Sequence, residues 1–173
     1  MKVGRVLVDE QQIAQRLIEM GAEITRDYQG KDLLLVAVLK GAFMVMADLS
    51  RRIDLPVDID FMAVSSYGDS TTTSGVVRII KDLDREITGR HVLIVEDIID
   101  SGLTLDYLRR NLEVRQPASL EVAALLVKGG IQRTQVDVKY VGFEIPPDFV
   151  IGYGLDLQGT MRNLPYVAVM EEE

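Results

Sequence analysis

Residues 92–105 read VLIVEDIIDSGLTL and decide the fold of the chain. The stretch opens with four apolar residues without alternation, which is the pattern of a strand covered on both faces. Two adjacent carboxylates, Glu96 and Asp97, follow where the strand should end, and a small polar turn comes next. Leucine then recurs at helical spacing from Leu105 onward. The order predicts a strand, an acidic pair, a tight turn and a helix.

The turn at residues 100–104 has the composition of a phosphate-binding turn. Gly102 permits unusual backbone dihedrals, so successive N–H groups at the start of a helix can wrap a phosphate. Ligands of an open parallel sheet bind beyond the carboxyl ends of its strands. Because carboxylates repel phosphate, Glu96 and Asp97 make sense here if they meet sugar hydroxyls or a magnesium ion. The combination points to a ribose phosphate; the alternative is an ordinary βα turn with a solvated acidic pair.

The segment VEDIIDSGLT, residues 95–104, resembles the phosphoribosyl-pyrophosphate-binding motif of the purine phosphoribosyltransferases. It is most similar to the motif of the bacterial hypoxanthine (hypoxanthine-guanine) phosphoribosyltransferases. The order of acids, aliphatics, glycine and threonine is long and unusual, so the resemblance is specific. It extends over about residues 5–170. It implies a type I phosphoribosyltransferase fold of class α/β, with a mostly parallel central sheet flanked by helices and a small hood over the base site.

The reaction implied by the resemblance belongs to purine salvage. The 5-phosphoribosyl group passes from phosphoribosyl pyrophosphate to hypoxanthine or guanine, giving IMP or GMP and pyrophosphate. Mg²⁺ is the implied cofactor, and its implied ligands are Glu96, Asp97 and Asp156. Asp100 is the implied catalytic residue, which handles the proton at purine N7. The preference among hypoxanthine, guanine and xanthine stays open.

Several substrate contacts follow from the same resemblance. Lys40 and Gly41 match a pyrophosphate turn in which a cis peptide is frequent, and Arg162 matches an arginine that grips pyrophosphate. Lys128 matches the lysine that donates to the oxygen at purine position six. The full implied set of substrate-binding residues is Lys40, Gly41, Ser66, Tyr67, Glu96, Asp97, Ile99, Asp100, Ser101, Gly102, Leu103, Thr104, Lys128, Phe149, Val150, Asp156 and Arg162.

The remaining matches lie around the base and over the reaction centre. Phe149 matches the aromatic that stacks on the purine, and the backbone of Val150 matches the group that reads the base edge. Asp156 matches an aspartate near a second magnesium and purine position two. Ser66 and Tyr67 match the Ser-Tyr of a flexible loop that closes over the site and excludes water.

Two segments depart from the pattern of the family. The residues after Lys128 are Gly129-Gly130-Ile131-Gln132, where many relatives carry proline or basic residues. Residues 157–160 also differ from the tyrosine- or acid-containing segment of many relatives. The effect of both departures on loop contacts stays open.

Apolar patterns predict the remaining elements. Asp9 caps a helix whose stripe is Ile13, Leu17, Met20 and Ile24. Apolar or alternating runs predict strands at residues 33–39, 57–64, 76–81 and 120–127. In the second of these, the apolar residues alternate with Asp58 and Asp60, which predicts a half-exposed strand. Residues 65–75 are rich in Ser, Thr and Gly and predict a mobile loop. His91 begins a strand, at the wrong end for the site.

Composition bounds the class of protein. A chain of 173 residues predicts one domain, residues 1–173, with a hood from its N- and C-terminal segments. The absence of cysteine excludes disulfides and thiolate metal sites and is compatible with the cytoplasm. A net charge of −8 argues against nucleic acid as a partner, and no apolar stretch is long enough for a membrane span. The implied partners are small-molecule substrates and further copies of the chain, in a homodimer or homotetramer.

Two alternatives stay open on the sequence. One is a regulator with this fold that binds nucleotide or RNA without obligatory turnover, against which the acidic charge and the purine-site residues argue. The other is a phosphoribosyltransferase for xanthine, adenine or a pyrimidine. Lys128 disfavours adenine, which presents an amino group where a lysine needs an acceptor.

Overall fold

A computed structural model of the chain describes residues 1–66 and 77–172, together with the side chains of all of these except Ser66. The predicted mobile loop at residues 65–75, with Tyr67, lies almost entirely outside the described residues. The elements are β1 (Lys2–Val8), α1 (Glu10–Asp27), β2 (Leu33–Leu39), α2 (Phe43–Ser50), β3 (Asp58–Ser66), β4 (Val77–Lys81), β5 (His91–Ile99), α3 (Leu103–Glu113), β6 (Ser119–Lys128), β7 (Tyr140–Ile145), β8 (Val150–Ile151) and β9 (Val167–Glu171).

The central sheet has six strands in the order β4-β3-β2-β5-β6-β7. All its pairings are parallel except that of β4 with β3. The middle strands β2 and β5 read as continuous apolar runs because both of their faces are covered. The predicted mostly parallel α/β sheet is therefore confirmed, and the carboxyl ends of β2, β5 and β6 meet at one edge.

Helices cover the sheet on both faces. Alternate residues of β2 pack with α1 and α2 on one face and with α3 on the other. The predicted start of α1 is confirmed: the Gln12 backbone N–H donates to Asp9 Oδ1 at 2.8 Å, and the Asp9 N–H donates to Gln12 Oε1 at 2.9 Å. This reciprocal cap fixes the helix so that its predicted apolar stripe is buried.

A second, three-stranded sheet has the order β1-β9-β8 and forms the hood. β1 and β9 pair antiparallel, with Lys2 opposite Glu171, and β8 pairs antiparallel with β9. The hood therefore joins the first strand of the chain to its last two.

The strand predicted at residues 57–64 is present as β3, but the prediction that its aspartates face solvent and its apolar residues face the core is wrong for Asp60 and Ile59. Asp60 is 4% exposed, whereas Ile59 on the opposite face is 39% exposed. Burial of Asp60 is compensated because its carboxylate accepts backbone N–H groups of Phe61, Asp84 and Arg85, at 2.8, 2.8 and 3.1 Å. The aspartate holds the segment after β4 against the sheet.

His91 lies at the start of β5, as its position in the sequence predicts, with Nδ1 2.7 Å from Ser119 Oγ. It is therefore at the edge opposite the carboxyl ends of the strands. Among the described residues, no helix is long and apolar enough to cross a membrane.

Candidate active site

A cavity of about 390 Å³ opens at the carboxyl ends of β2 and β5 and reaches the segment after β8. Ten of the sequence-predicted site residues line it: Gly41, Glu96, Asp97, Ile99, Asp100, Ser101, Gly102, Thr104, Asp156 and Arg162. They come from segments that are up to 121 positions apart in the sequence, since Gly41 and Arg162 both line the cavity. The central sheet brings most of them to one edge because the parallel strands β2 and β5 end there, and the segment between β8 and β9 adds Asp156 and Arg162.

Five of the other predicted residues, all within the described part of the chain, do not line this cavity. Lys40, Leu103, Lys128, Phe149 and Val150 lie outside its wall. Ser66 ends β3, and Tyr67 lies outside the described residues.

The turn after β2 packs directly against the acidic pair. The Leu39–Lys40 peptide is cis. A Cβ atom on Gly41 would overlap the Oδ2 atom of Asp97, so only glycine allows the backbone to approach this carboxylate. The pyrophosphate turn implied by the resemblance is thus in contact with one of the two acids. Both acids lie within β5, which continues to Ile99 instead of ending before them as the sequence predicts.

Burial dominates the electrostatics of the acidic pair. Glu96 is 8% exposed. Its burial and the charge of adjacent Asp97 raise the pKa of Glu96 well above the ordinary value. Burial likewise raises the pKa of Asp97 to about 6, against the opposing effect of backbone N–H donors such as that of Ile98, which lies 2.7 Å from Asp97 Oδ1. A cation or a set of hydroxyl donors would stabilise both carboxylates in their charged form.

Arg162 reaches the cavity from the far side. Its Nη1 donates to the Gly154 carbonyl at 2.6 Å, and its Nη2 lies 3.1 Å from Asp156 Oδ1. Asp156 also accepts the Gly159 N–H at 2.7 Å through Oδ2. The proposed pyrophosphate arginine and the proposed magnesium aspartate are therefore partners of each other in this structure.

Asp100 and Lys128 meet beside the cavity. Lys128 Nζ lies 3.0 Å from Asp100 Oδ2, although Lys128 is buried and the Asp100 side chain is 59% exposed. Gln132 Nε2 donates to the Asp100 carbonyl at 3.2 Å and also to the Lys128 carbonyl. The implied catalytic aspartate and the lysine implied to bind the purine thus form one charged pair at the ends of β5 and β6.

The turn at residues 100–104, called the phosphate turn below, runs into α3 as predicted. Gly102 is the N-cap residue and has a φ of +82°. The Leu103 N–H lies 3.4 Å from Ser101 Oγ. α3 begins at Leu103, two residues earlier than the first leucine of its apolar stripe. The turn and the first N–H groups of α3 form the kind of site that favours an anion.

Phe149 and Val150, the residues implied to contact the base, lie at the start of the hood strand β8. Phe149 precedes β8 and is 50% exposed, which is unusual for a large aromatic side chain. Its carbonyl accepts the Met170 N–H at 2.9 Å, so β9 fixes its backbone. Val150 is buried and pairs with Val169. An exposed ring on a fixed backbone offers a surface for stacking.

Metal binding at the acidic residues depends on ligand chemistry. Within residues 1–66 and 77–172, no group of three or more carboxylates or histidines is arranged to hold a metal. Mg²⁺ usually binds through one or two carboxylates and fills its shell with water and phosphate oxygens. Asp97 and Asp156 are close enough for the charge of Asp156 to raise the pKa of Asp97. Their oxygens fit an ion that a phosphorylated substrate brings with it.

Sequence reasoning missed the apolar part of the cavity wall. That part consists of Val38, Leu39, Ile98, Leu105 and Leu155. Leu39, Ile98, Leu105 and Leu155 each adjoin a predicted site residue in the sequence, so their place in the chain was a usable signal. Gln132, which contacts the Asp100 carbonyl, gave no such signal, because only the folding back of the loop after β6 brings it to the site.

Comparison with known proteins agrees with this geometry. The sequence matches the model of the phosphoribosyl transferase domain over residues 6–158. A hypoxanthine-guanine phosphoribosyltransferase from Mycobacterium avium is 54% identical over 175 aligned positions, which cover 98% of this chain and 86% of the relative. A hypoxanthine phosphoribosyltransferase from Haemophilus influenzae is 51% identical over 172 positions, covering 96% of each chain.

Solved structures agree as well. The crystal structure of a hypoxanthine phosphoribosyltransferase from Staphylococcus aureus superposes with a TM-score of 0.95 at 46% sequence identity, over 98% of this chain and 92% of that one. The resemblance that the motif at residues 95–104 indicates is confirmed over nearly the whole sequence. From its motif, its sheet order and these relatives, the chain belongs to the phosphoribosyl transferase family.

Proposed function

We propose that this enzyme transfers the 5-phosphoribosyl group of phosphoribosyl pyrophosphate to hypoxanthine or guanine in purine salvage. The observation that carries the proposal is the cavity that joins an acidic pair, a phosphate turn and Arg162. The names of the relatives at 54% and 51% identity support the same reaction. The products are IMP or GMP and pyrophosphate.

The ribose phosphate occupies the cavity at the end of β5. The phosphate is held by the turn at residues 100–104 and the start of α3. Glu96 and Asp97 accept hydrogen bonds from the two ribose hydroxyls, and these donors offset the burial of the pair. Pyrophosphate lies between the Lys40-Gly41 turn and Arg162, with Ser66 and Tyr67 completing the proposed set.

The reaction breaks the bond from the ribose carbon to pyrophosphate and forms a bond from that carbon to a ring nitrogen of the purine. Positive charge develops on the ribose carbon while negative charge develops on the departing pyrophosphate. Lys40 and Arg162 stabilise the departing anion. Asp100 takes the proton that leaves the purine at N7.

The base lies against Phe149, with Val150 reading its edge through the backbone and Lys128 donating to the oxygen at position six. A lysine ammonium has only donors, so adenine with its amino group at that position leaves both groups unsatisfied. The Asp100–Lys128 pair at 3.0 Å supports a common site for the two residues.

Magnesium is the proposed cofactor, and Glu96, Asp97 and Asp156 are its proposed ligands. When bound, the ion supplies charge neutralisation to the pyrophosphate, which a chain of net charge −8 needs. The acidic residues orient the ribose, and Arg162 contacts the diphosphate.

We further propose a single phosphoribosyltransferase domain over residues 1–173 that acts in the cytoplasm as a homodimer or homotetramer. The hood packs on the same core cluster as α1 and α2, which supports one domain. The absence of cysteine suits a reducing compartment.

A turnover assay tests the reaction. The purified protein is supplied with phosphoribosyl pyrophosphate, Mg²⁺ and one of hypoxanthine, guanine, xanthine, adenine or uracil. We expect nucleoside monophosphate and pyrophosphate with hypoxanthine or guanine, and a kcat/KM at least about 100-fold lower with adenine. Binding of IMP without turnover of any base supports the regulator instead, and efficient turnover of adenine contradicts the role of Lys128.

Calorimetric titration tests the metal. Mg²⁺ keeps several waters and uses few protein carboxylates, so we expect the free protein to bind it weakly and the substrate-loaded protein to bind it tightly. Titration of phosphoribosyl pyrophosphate in chelator is the matched control and should show weak binding. Tight Mg²⁺ binding to the free protein, or tight substrate binding in chelator, contradicts the proposed ligands.

A further inference from the structure

The phosphate turn is held from behind by the loop that follows β6. The Asp100 carbonyl accepts from Gln132 Nε2 at 3.2 Å, and the Ser101 carbonyl accepts from the Arg133 backbone N–H at 2.8 Å. The Gly102 carbonyl accepts an N–H of α3 at 2.9 Å. Because a trans peptide is planar with its N–H opposite its C=O, each bond also fixes the direction of the next N–H in the turn.

Gln132 contributes to this hold through its side chain. The amide nitrogen has two hydrogens, and its two acceptors are the carbonyl oxygens of Asp100 and Lys128. Only a donor group at this position suits two carbonyl oxygens. The side chain therefore joins the start of the phosphate turn to the end of β6.

The same two residues are joined a second time by their side chains. Lys128 Nζ lies 3.0 Å from Asp100 Oδ2. Gly102 packs so closely on Val136 of the same loop that a Cβ atom would overlap the Val136 methyl group. The loop after β6 thus contacts the phosphate turn through a side chain, a backbone N–H and apolar packing. Of the two loop residues that donate hydrogen bonds to the turn, only Gln132 does so through its side chain, so only its bond is lost on substitution.

We propose that Gln132 is a positioning residue for the phosphate turn, acting through the Asp100 carbonyl to aim the Ser101 N–H at the 5-phosphate of the ribose. The inference rests on the proposed function of this turn. It also gives a role to one of the residues at which this chain departs from the family pattern.

The test compares three variants. Gln132→Glu replaces both donors with acceptors, and Gln132→Met keeps the length of the side chain without donors. Gln135→Glu is the matched control, because it makes the same charge change on an exposed residue of the same loop, beside α3 rather than the turn. Gln132 is itself exposed, so its substitution is not expected to unfold the chain.

We expect Gln132→Glu to raise KM for phosphoribosyl pyrophosphate about tenfold and Gln132→Met to raise it about three- to tenfold, which is the range for one lost hydrogen bond. The kcat of each variant should change less than about twofold, since no catalytic group is removed. Calorimetry with ribose 5-phosphate, which has the 5-phosphate and no pyrophosphate, should show the same loss of affinity.

The inference is overturned if Gln132→Met binds ribose 5-phosphate like the wild type, or if Gln135→Glu weakens it as much as Gln132→Glu. It is also overturned if Gln132→Glu lowers kcat with KM unchanged. Ribose 5-phosphate binding needs no turnover, so a wild-type protein that binds it but converts no base contradicts the proposed function and leaves this test intact.

Discussion

In the proposed reaction, Asp100 has a different partner before and after the base binds. In this structure its carboxylate is paired with the Lys128 ammonium. A purine with an oxygen at position six offers the lysine a new acceptor, and its N7 hydrogen offers the carboxylate a new donor. Base binding therefore exchanges one ion pair for two substrate contacts, and the exchange delivers the carboxylate to the proton that it must take.

The first prediction at this scale is for Asp100→Asn. The amide fits the turn but does not accept the N7 proton, so we expect kcat to fall by about 10²- to 10⁴-fold. KM for phosphoribosyl pyrophosphate should stay within a few-fold, because the backbone of the turn is unchanged. Steady-state kinetics decide the outcome, with Asp54→Asn on the exposed surface as the matched control. Full activity of Asp100→Asn would refute the role.

The second prediction concerns Asp97 in metal-free protein. Its pKa is about 6 in the folded chain and near 4 when unfolded, so between these values the folded state binds more protons. The free energy of unfolding therefore falls as pH rises from 4 to 6, and the loss is complete above pH 6. Asp97→Asn removes this titration. We expect the variant to be more stable than wild type by about 1–2 kcal/mol at pH 7.5 and by much less at pH 4.5.

Urea unfolding in chelator at several pH values measures this difference. Asp54→Asn is again the control and should show a difference from wild type that does not change over the same range. An Asp97→Asn difference that is constant with pH would contradict the assigned pKa. The variant should also lose affinity for ribose 5-phosphate, because a carboxylate that lowers stability is retained for binding.

At the residue scale, the sequence predicts the site residues that lie together in one segment, but not those that folding brings in from other segments. Glu96, Asp97, Asp100 and Gly102 lie within seven positions, and their order alone predicts a ribose phosphate site. Gln132 could not be predicted, because its amide reaches two carbonyls only after β6 and its loop fold back beside the turn.

Helix α2 and the segment after β8 form one unit at the pyrophosphate side of the site. The Tyr153 hydroxyl donates to Asp48 of α2. Burial and this hydrogen bond raise the pKa of Tyr153 above its ordinary value, so it stays a donor over the usual pH range. The next residue, Gly154, accepts from Arg162. The hydroxyl thus ties the loop that holds Arg162 to the helix that follows Gly41.

The prediction at this scale is for Tyr153→Phe. The ring stays buried while one hydrogen bond to a carboxylate is lost, so we expect the free energy of unfolding to fall by about 1–2 kcal/mol. KM for phosphoribosyl pyrophosphate should rise a few-fold, with KM for the base unchanged. Tyr107→Phe on α3 is the matched control for removal of a hydroxyl. Equal effects of the two variants on KM would contradict the link.

Strand β3 shows that a local pattern predicts a strand but not which of its faces is buried. The alternation at residues 57–64 correctly predicts a strand, but polarity does not predict which face is covered. Asp60 is buried because backbone N–H groups 24 and 25 positions further along the chain donate to its carboxylate. No local pattern contains such partners. The fully apolar β2 carries no such ambiguity, since both of its faces are covered.

For the whole molecule, charge and site have opposite requirements. The chain has a net charge of −8, yet its proposed substrate is a diphosphate. The fold places Arg162, the start of α3 and Gly41, which follows Lys40, around one cavity. The acidic composition predicts that a diphosphate site needs positively charged side chains nearby. The fold brings one such side chain, Arg162, to the cavity. The mostly parallel sheet and the hood were implied by the family resemblance. The order of the six strands was not predicted, since pairing between distant strands leaves no local signal.

Because Lys2 pairs with Glu171, the first and last residues can be joined by a linker and the chain can be opened at another position. Partner residues on antiparallel strands lie about 5 Å apart at their Cα atoms, so a few glycines can join residue 173 to residue 1. New ends can be placed between Gln29 and Gly30, in an exposed turn away from the site. We expect this circular permutant to keep kcat within about threefold, because every contact of the hood persists when β1 follows β9 in a hairpin. A matched linear chain that lacks residues 1–8 should lose stability, and a permutant that folds without activity would show that the hood needs its two strands unjoined.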